Sequence, residues 1–169
     1  GHFMTRWEHG LEGGSTVITE AYFDRTERSR SIGLKDSVDT WDLALQHTIP
    51  LHGRHRITWG GGYRTYRYQV PFNYQLQLTP SVGNEELLNL FAQDEIVIVP
   101  DRLRLTLGMR LERSSLVGGV NPQPDARLAW NIDERQMLWG GISRANRLPS
   151  LIERGASVRT SFTPAAPPF

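Results

Sequence analysis

The sequence predicts an all-β chain, an antiparallel up-and-down meander of about eight strands of the transmembrane β-barrel type, either part of a barrel or a small closed one. Three observations predict it. Apolar side chains recur at every second position along most of the chain. The connections between these stretches are alternately short and long. Aromatic residues stand toward the ends of the apolar faces.

The strands follow in order. Residues 3–9 and 16–25 alternate with some exceptions. In 38–49, Trp41, Leu43, Leu45 and Ile49 share one face, while Thr40, Asp42, Ala44, Gln46 and Thr48 share the other. In 56–69, Ile57, Trp59, Gly61 and Tyr63 oppose Arg56, Thr58, Gly60, Gly62 and Arg64. Residues 87–99 carry Leu90, Ala92, Ile96 and Ile98 on a face that Asp94 interrupts. The clearest strand is 102–113, where Leu103, Leu105, Leu107, Met109 and Leu111 oppose Arg104, Thr106, Gly108, Arg110 and Glu112. Residues 125–132 set Ala126, Leu128, Trp130 and Ile132 against Asp125, Arg127, Ala129 and Asn131, and 136–145 close the series with a pattern blurred by Gly140-Gly141. Side chains of a strand point alternately to its two faces, whereas a helix would scatter these sets around its circumference.

The connections at 10–15, 50–55, 100–101 and 133–135 are short and rich in Gly, Pro and Asp. Those at 26–36, 70–86 and 114–124 are longer and polar. Membrane barrels have short turns at one end and long loops at the other, while long structureless loops are uncommon in compact soluble domains. Residues 146–169 show no strand pattern and read as an outer loop cut before its return strand, with Phe169 a truncation point. The whole chain, 1–169, is expected to be one barrel segment.

Only 38% of the residues are hydrophobic, below the roughly 45–50% of ordinary globular chains, yet five are Trp. That balance suits a thin wall, greasy on one side and wet on the other. Trp41, Trp59, Tyr63 and Trp130 are candidates for aromatic girdles bordering an apolar band. The plainer explanation is that Trp and Tyr are good strand residues. The net charge of +1 gives no global pull toward nucleic acid. With no Cys, disulfides and Cys-based metal sites are excluded. No apolar run approaches the ~20 residues of a membrane-spanning helix.

Catalytic and metal chemistry finds no pattern. His52 and His55 flank Gly53-Arg54 as a turn pair, too few for a metal site. No nucleophile elbow is present, and Gly60-Gly61-Gly62 lacks the Lys-Ser/Thr of a phosphate loop. Inside a strand such glycines mark a bend, a bulge or the close approach of another element. No enzyme activity, cofactor or metal is therefore expected. The chemistry lies in charge. Arg56, Arg64, Arg104, Arg110, Arg127, Glu20, Asp42, Glu95, Glu112 and Asp125 fall on the polar face and would line a barrel lumen, as salt bridges of the wall or as contacts to what the barrel encloses.

Several stretches resemble the barrels of TonB-dependent receptors. These are Ala21-Tyr22-Phe23-Asp24-Arg25-Thr26, then Phe91-Ala92-Gln93-Asp94 followed by Leu107-Gly108-Met109-Arg110, then Pro122 to Trp130, and lastly Arg147-Leu148-Pro149-Ser150 closing a strand. Their order and spacing, from Thr16 to about Glu153, carry the resemblance. It implies a barrel of about twenty-two strands around an N-terminal plug that contacts TonB. It implies residence in the bacterial outer membrane, with lipid around the wall, and uptake of a ferric siderophore, cobalamin or a similar scarce nutrient. The plug is not expected within this chain. Ligand contact would then fall to the outer loops, through Phe72, Tyr74 and Gln75, with Arg144 and Arg147 placed to meet an anionic ferric complex. Two other readings stand beside it. One is a self-contained eight-stranded outer-membrane barrel with a structural, adhesion or pore role, and the other is a soluble ligand-binding barrel. An excised wall has two open edges, so the chain is also expected to roll its end strands together or to self-associate edge to edge.

Overall fold

A computed structural model of the chain describes residues 1–29, 35–51, 53–71 and 76–158. Eight strands form one antiparallel sheet: β1 (His2–Gly10), β2 (Thr16–Ser29), β3 (Lys35–Leu51), β4 (His55–Gln69), β6 (Val82–Val99), β7 (Leu103–Ser114), β8 (Asn121–Asn131) and β9 (Met137–Ser143). Each pairs with its neighbour in the chain, except that a three-residue strand, β5 (Leu76–Leu78), intervenes between β4 and β6. β5 pairs instead with β10 (Ala156–Val158), which follows a short helix, α1 (Leu151–Gly155). These three elements lie in the stretches 70–86 and 146–169, which the residue pattern marks only as loops.

The sheet is open. β1 and β9 each have one neighbour and do not pair with each other, so the small closed barrel and the rolled-up fragment are not what the chain forms. Several strands run beyond their apolar stretch: β2 continues to Ser29, β3 begins at Lys35, β6 begins at Val82 and β8 at Asn121.

The short turns have local causes. Pro100 and Asp101 occupy the corners between β6 and β7, with Arg102 N–H donating to Val99 O at 3.1 Å. Asp101 holds φ +60°, a conformation that Asp tolerates better than most residues. Asn131 reinforces the turn by donating to Asp101 O at 2.8 Å. Gly53 makes the corner between β3 and β4 at φ +65°.

Almost nothing is buried. Among the described residues the buried hydrophobics are Tyr68 and Leu78, and no large side chain is fully enclosed. The accessible surface is 12875 Å² for 19.2 kDa. A compact globular protein of that mass exposes about 8,400 Å². A water-soluble barrel that buries its apolar side chains inward, the second alternative above, does not describe this molecule. Trp41 and Leu43 remain 57% exposed, and Ile142 78%. The fold is held by its backbone ladders and by side-chain pairs along each face.

Candidate functional site

The register keeps the two faces distinct from one side of the sheet to the other. One ladder row reads Arg6, Glu20, Ala44, Gly62, Asn89, Glu112, Asn121, each directly opposite the next. The adjacent row, on the opposite face, reads Trp7, Thr19, Leu45, Gly61, Leu90, Leu111, Pro122. Among the described residues, the only register irregularity in this sheet is a bulge between Val97 and Val99, next to the β6–β7 turn.

On the polar face most of the arginines have a carboxylate within 4.0 Å. Arg64 binds Asp42 directly across β3 and β4, and its guanidinium also donates to the Tyr66 hydroxyl at 3.2 Å. Arg6 binds Glu20 across β1 and β2 at 3.0 Å. Arg104 reaches Glu95 diagonally at 3.7 Å. Arg127 lies 3.5 Å from Asp125, and Arg110 4.0 Å from Glu112, each two residues along its own strand. Arg56 stands opposite Glu95 in register, but that carboxylate is shared toward Arg104. The arginines are about half exposed, so each pair contributes only ~0.2–1 kcal/mol. Their effect is to neutralise the face locally.

A hollow of ≈430 Å³ lies on this face over the centre of the sheet. Arg6, Glu20, Asp42, Arg64 and Arg110 surround it, with Gln46, Asn89 and Phe91. Arg6 and Phe91 join the polar-face residues read from the sequence; the spacing Arg6, Glu8 in an alternating stretch is the signal that marks Arg6. The glycine run explains the hollow. A Cβ on Gly60 would stand 2.8 Å from the Phe91 ring, with the Leu45 carbonyl closer still. A Cβ on Gly62 would stand 2.9 Å from Asn89 Nδ2. The elements approaching these glycines are therefore the neighbouring strands β3 and β6, and the ladders pass through them without a bulge.

The apolar face is bordered at both ends. At the long-loop end Phe23 and Trp41 lie against each other with centroids 4.4 Å apart, and Tyr63 is on the same face. Beyond them that face becomes charged: Arg25 binds Asp39 at 3.0 Å, and Thr65 donates to Asn84 at 2.6 Å. At the short-turn end Trp7 stacks on His9 at 5.2 Å, Trp59 meets His47 edge-on at 5.7 Å, and Trp130 stands near the β8–β9 turn. From Trp41 to Ile49 the strand rises roughly 27 Å, or roughly 20 Å of height at a tilt of about 40°. Asp94, which interrupts this face, is bound by His55 Nδ1 at 2.7 Å. His55 thus has a structural partner, and His52 lies outside the described residues.

Phe72, Tyr74 and Gln75 lie outside the described residues. Arg147 is bound to Glu153. Ser150 and Glu153 cap α1 reciprocally: Ser150 N–H donates to the Glu153 carboxylate at 2.7 Å, and Glu153 N–H donates to Ser150 Oγ at 3.3 Å. The Ser150 N–H, with Arg147 adding its charge, holds the Glu153 carboxyl below the usual carboxylate range. Arg144 extends the β8–β9 ladder by donating its N–H to Pro124 O at 3.0 Å.

The family model for the TonB dependent receptor-like β-barrel matches residues 4–168. The chain belongs to the TonB-dependent receptor family. Among solved structures, the crystal structure of the siderophore receptor PirA from Pseudomonas aeruginosa is similar, with a TM-score of 0.78 at 22% identity. The match covers 89% of this chain and 28% of that one. No curated protein matches by sequence. The chain is thus a segment of receptor barrel wall in the bacterial outer membrane, from a family of transporters and not of enzymes.

Proposed function

We propose that this chain forms wall and outer loops of a receptor that imports a ferric siderophore or a similar scarce nutrient, driven by TonB through a plug outside residues 1–169. The family match over nearly the whole chain carries the reading, and the likeness to a siderophore receptor favours that nutrient class. On this reading 1–169 is a single barrel segment. Its polar face, with Arg56, Arg64, Arg104, Arg110, Arg127, Glu95, Glu112 and Asp125, lines the lumen. Trp41, Trp59, Tyr63 and Trp130 belong to the girdles where the apolar face meets lipid headgroups. The apolar band between Trp41 and Ile49, roughly 20 Å high, fits within the ~25 Å band of such barrels and supports that assignment.

Ligand contact falls to the outer loops, through Phe72, Tyr74, Gln75, Arg144 and Arg147. For Arg147 this requires release from Glu153. The open edges at β1 and β9 would pair with the flanking wall in the receptor and with other copies when the chain is isolated. The test is deletion of the gene in its host, followed by growth under iron limitation and uptake of radiolabelled iron presented on a panel of siderophores. Loss of uptake for one siderophore, restored by the gene, is the expected result. Unchanged uptake for every siderophore, with normal growth, would overturn the nutrient class.

A further inference from the structure

The apolar face holds a carboxylate. Its ladder row reads Ile49, Ile57, Asp94, Leu107, Ala126, Ile142, so Asp94 stands alone in a row of hydrocarbon. One oxygen, Oδ2, accepts from His55 Nδ1 at 2.7 Å. The other, Oδ1, is tucked against the face and has no hydrogen-bond partner, although the side chain as a whole is 29% exposed. His47, on the same face, is in a similar position. Its ring lies edge-on to Trp59 at 5.7 Å, and its Nε2 has no partner. A small rotation of either side chain turns the free atom outward. On a face turned to hydrocarbon no water completes such atoms, so each calls for a partner from outside the chain.

The two atoms ask for opposite things. Asp94 Oδ1 only accepts, and a cationic donor suits it best. With its proton on Nε2, His47 donates, and an anion is its strongest acceptor. Trp59 stands between them. It faces His47 directly across β3 and β4, while Asp94 lies diagonal to it on β6, opposite Ile57. Diagonal neighbours are ~7–8 Å apart, within reach of an aromatic side chain, and an indole face attracts a cation. From His47 to Asp94 the backbone span is two strand spacings across and two residues along, roughly 12 Å. The side chains narrow this to the length of one small zwitterion. The place is the short-turn end of the face, the periplasmic end of such barrels.

We propose that His47, Trp59 and Asp94 form a site for the headgroup of one glycerophospholipid of the ethanolamine type, with its ammonium on Asp94 Oδ1 against the Trp59 ring and its phosphate on His47 Nε2. That headgroup carries the donor and the anion together, joined by an ethylene link. A choline headgroup has no N–H to donate, and a glycerol headgroup has no cation. The site rests on the apolar face meeting lipid, but not on which nutrient passes.

The test uses the whole receptor, purified in a detergent that strips lipid. It is titrated with short-chain phosphatidylethanolamine, phosphatidylcholine or phosphatidylglycerol, and bound lipids are counted by native mass spectrometry. The parent is expected to hold one more ethanolamine lipid than the Asp94→Asn protein, at least about tenfold more tightly than the choline form. His47→Phe, which keeps a ring against Trp59, should weaken that lipid about threefold or more. His55→Gln separates the site from a merely structural pair. It removes the partner of Asp94 but not the free oxygen, so the ethanolamine lipid should stay. A pair that only braces β4 against β6 would make His55→Gln and Asp94→Asn equivalent, and the site would fall. Heat-modifiable migration on gels checks that each barrel is intact. Equal lipid counts in intact parent and Asp94→Asn barrels, or equal binding of ethanolamine and choline lipids, would overturn the site. So would a dimer in lipid-free detergent that Asp94→Asn disperses, which would put a second copy on this face. An unchanged count beside a Leu45→Arg protein that is destabilised in vesicles removes the site alone and leaves the face in lipid.

Discussion

Leu45 stands near the middle of the apolar face, between Trp41 and Ile49 on β3, and is 41% exposed. Its register neighbours on that face are Thr19 and Gly61, neither of which carries a charge to pair with an Arg. Replacement by Arg therefore sets a guanidinium against whatever medium the face meets. In water, such an exposed substitution changes stability by about 0.5 kcal/mol or less. At the midplane of a bilayer, an Arg on the outer face of a barrel costs about 2–4 kcal/mol, roughly 30- to 900-fold in the folding equilibrium. Near the headgroups the cost falls to about 0–1 kcal/mol, so Ile49→Arg, close to the short-turn end, is the graded control. Gln93→Arg, on the polar face, is the control for charge alone. The assay is denaturant titration of the receptor refolded into lipid vesicles, followed by Trp fluorescence. A Leu45→Arg protein within ~0.5 kcal/mol of its parent, or less affected than Gln93→Arg, would refute the assignment of this face to lipid.

Gly60→Val should destabilise the wall by about 1–3 kcal/mol, because β3 backbone and the Phe91 ring occupy the space, whereas Gly140→Val, with open space around it, should stay within about 0.5 kcal/mol; the same titration reads both. Removing the cap by Ser150→Ala should loosen α1 by about 1 kcal/mol, seen as faster proteolytic nicking within 144–158 from outside the cell. Glu153 has a folded pKa below its unfolded value, so its contribution is complete above the ordinary carboxylate pKa and is lost as pH falls through the lower, folded value. Nicking of 144–158 should therefore accelerate on acidification, and Glu153→Gln should remove that dependence. A double-mutant cycle on Asp42 and Arg64 should return a coupling of about 0.2–1 kcal/mol, as for other half-exposed pairs.

What the sequence reveals depends on where the two faces meet different media. Between Trp41 and Ile49, or Leu103 and Leu111, one face is apolar and the other polar, and period two is plain. Above Phe23 both faces are wet. Arg25, Glu27, Asp24 and Arg28 then alternate nothing, so the continuation of β2 to Ser29 leaves no pattern. The start of β6 at Val82 is hidden for the same reason, with Asn84, Glu85 and Glu86 in succession. The charged residues of the polar face are legible because they sit inside alternating stretches, but their partners are not. Register across strands decides that Arg64 meets Asp42, and no local spacing encodes it. The β5–β10 ladder is shorter still, three residues from loops far apart in the chain. Only α1 has a legible mark, Ser150 with Glu153 three positions on, which is the capping-box spacing.

The unbroken ladder has a mechanical consequence. Sliding β4 by one residue against β3 would turn Arg56 and Arg64 toward the apolar side and bring Ile57, Trp59 and Tyr63 into the polar side. Each charge moved into hydrocarbon would cost up to about 2–4 kcal/mol, before any hydrogen bond is counted. On the proposed assignment of one face to lipid and the other to water, such a sheet has one gear position. The wall is a stator: its register leaves no low-cost way for one strand to slide past the next.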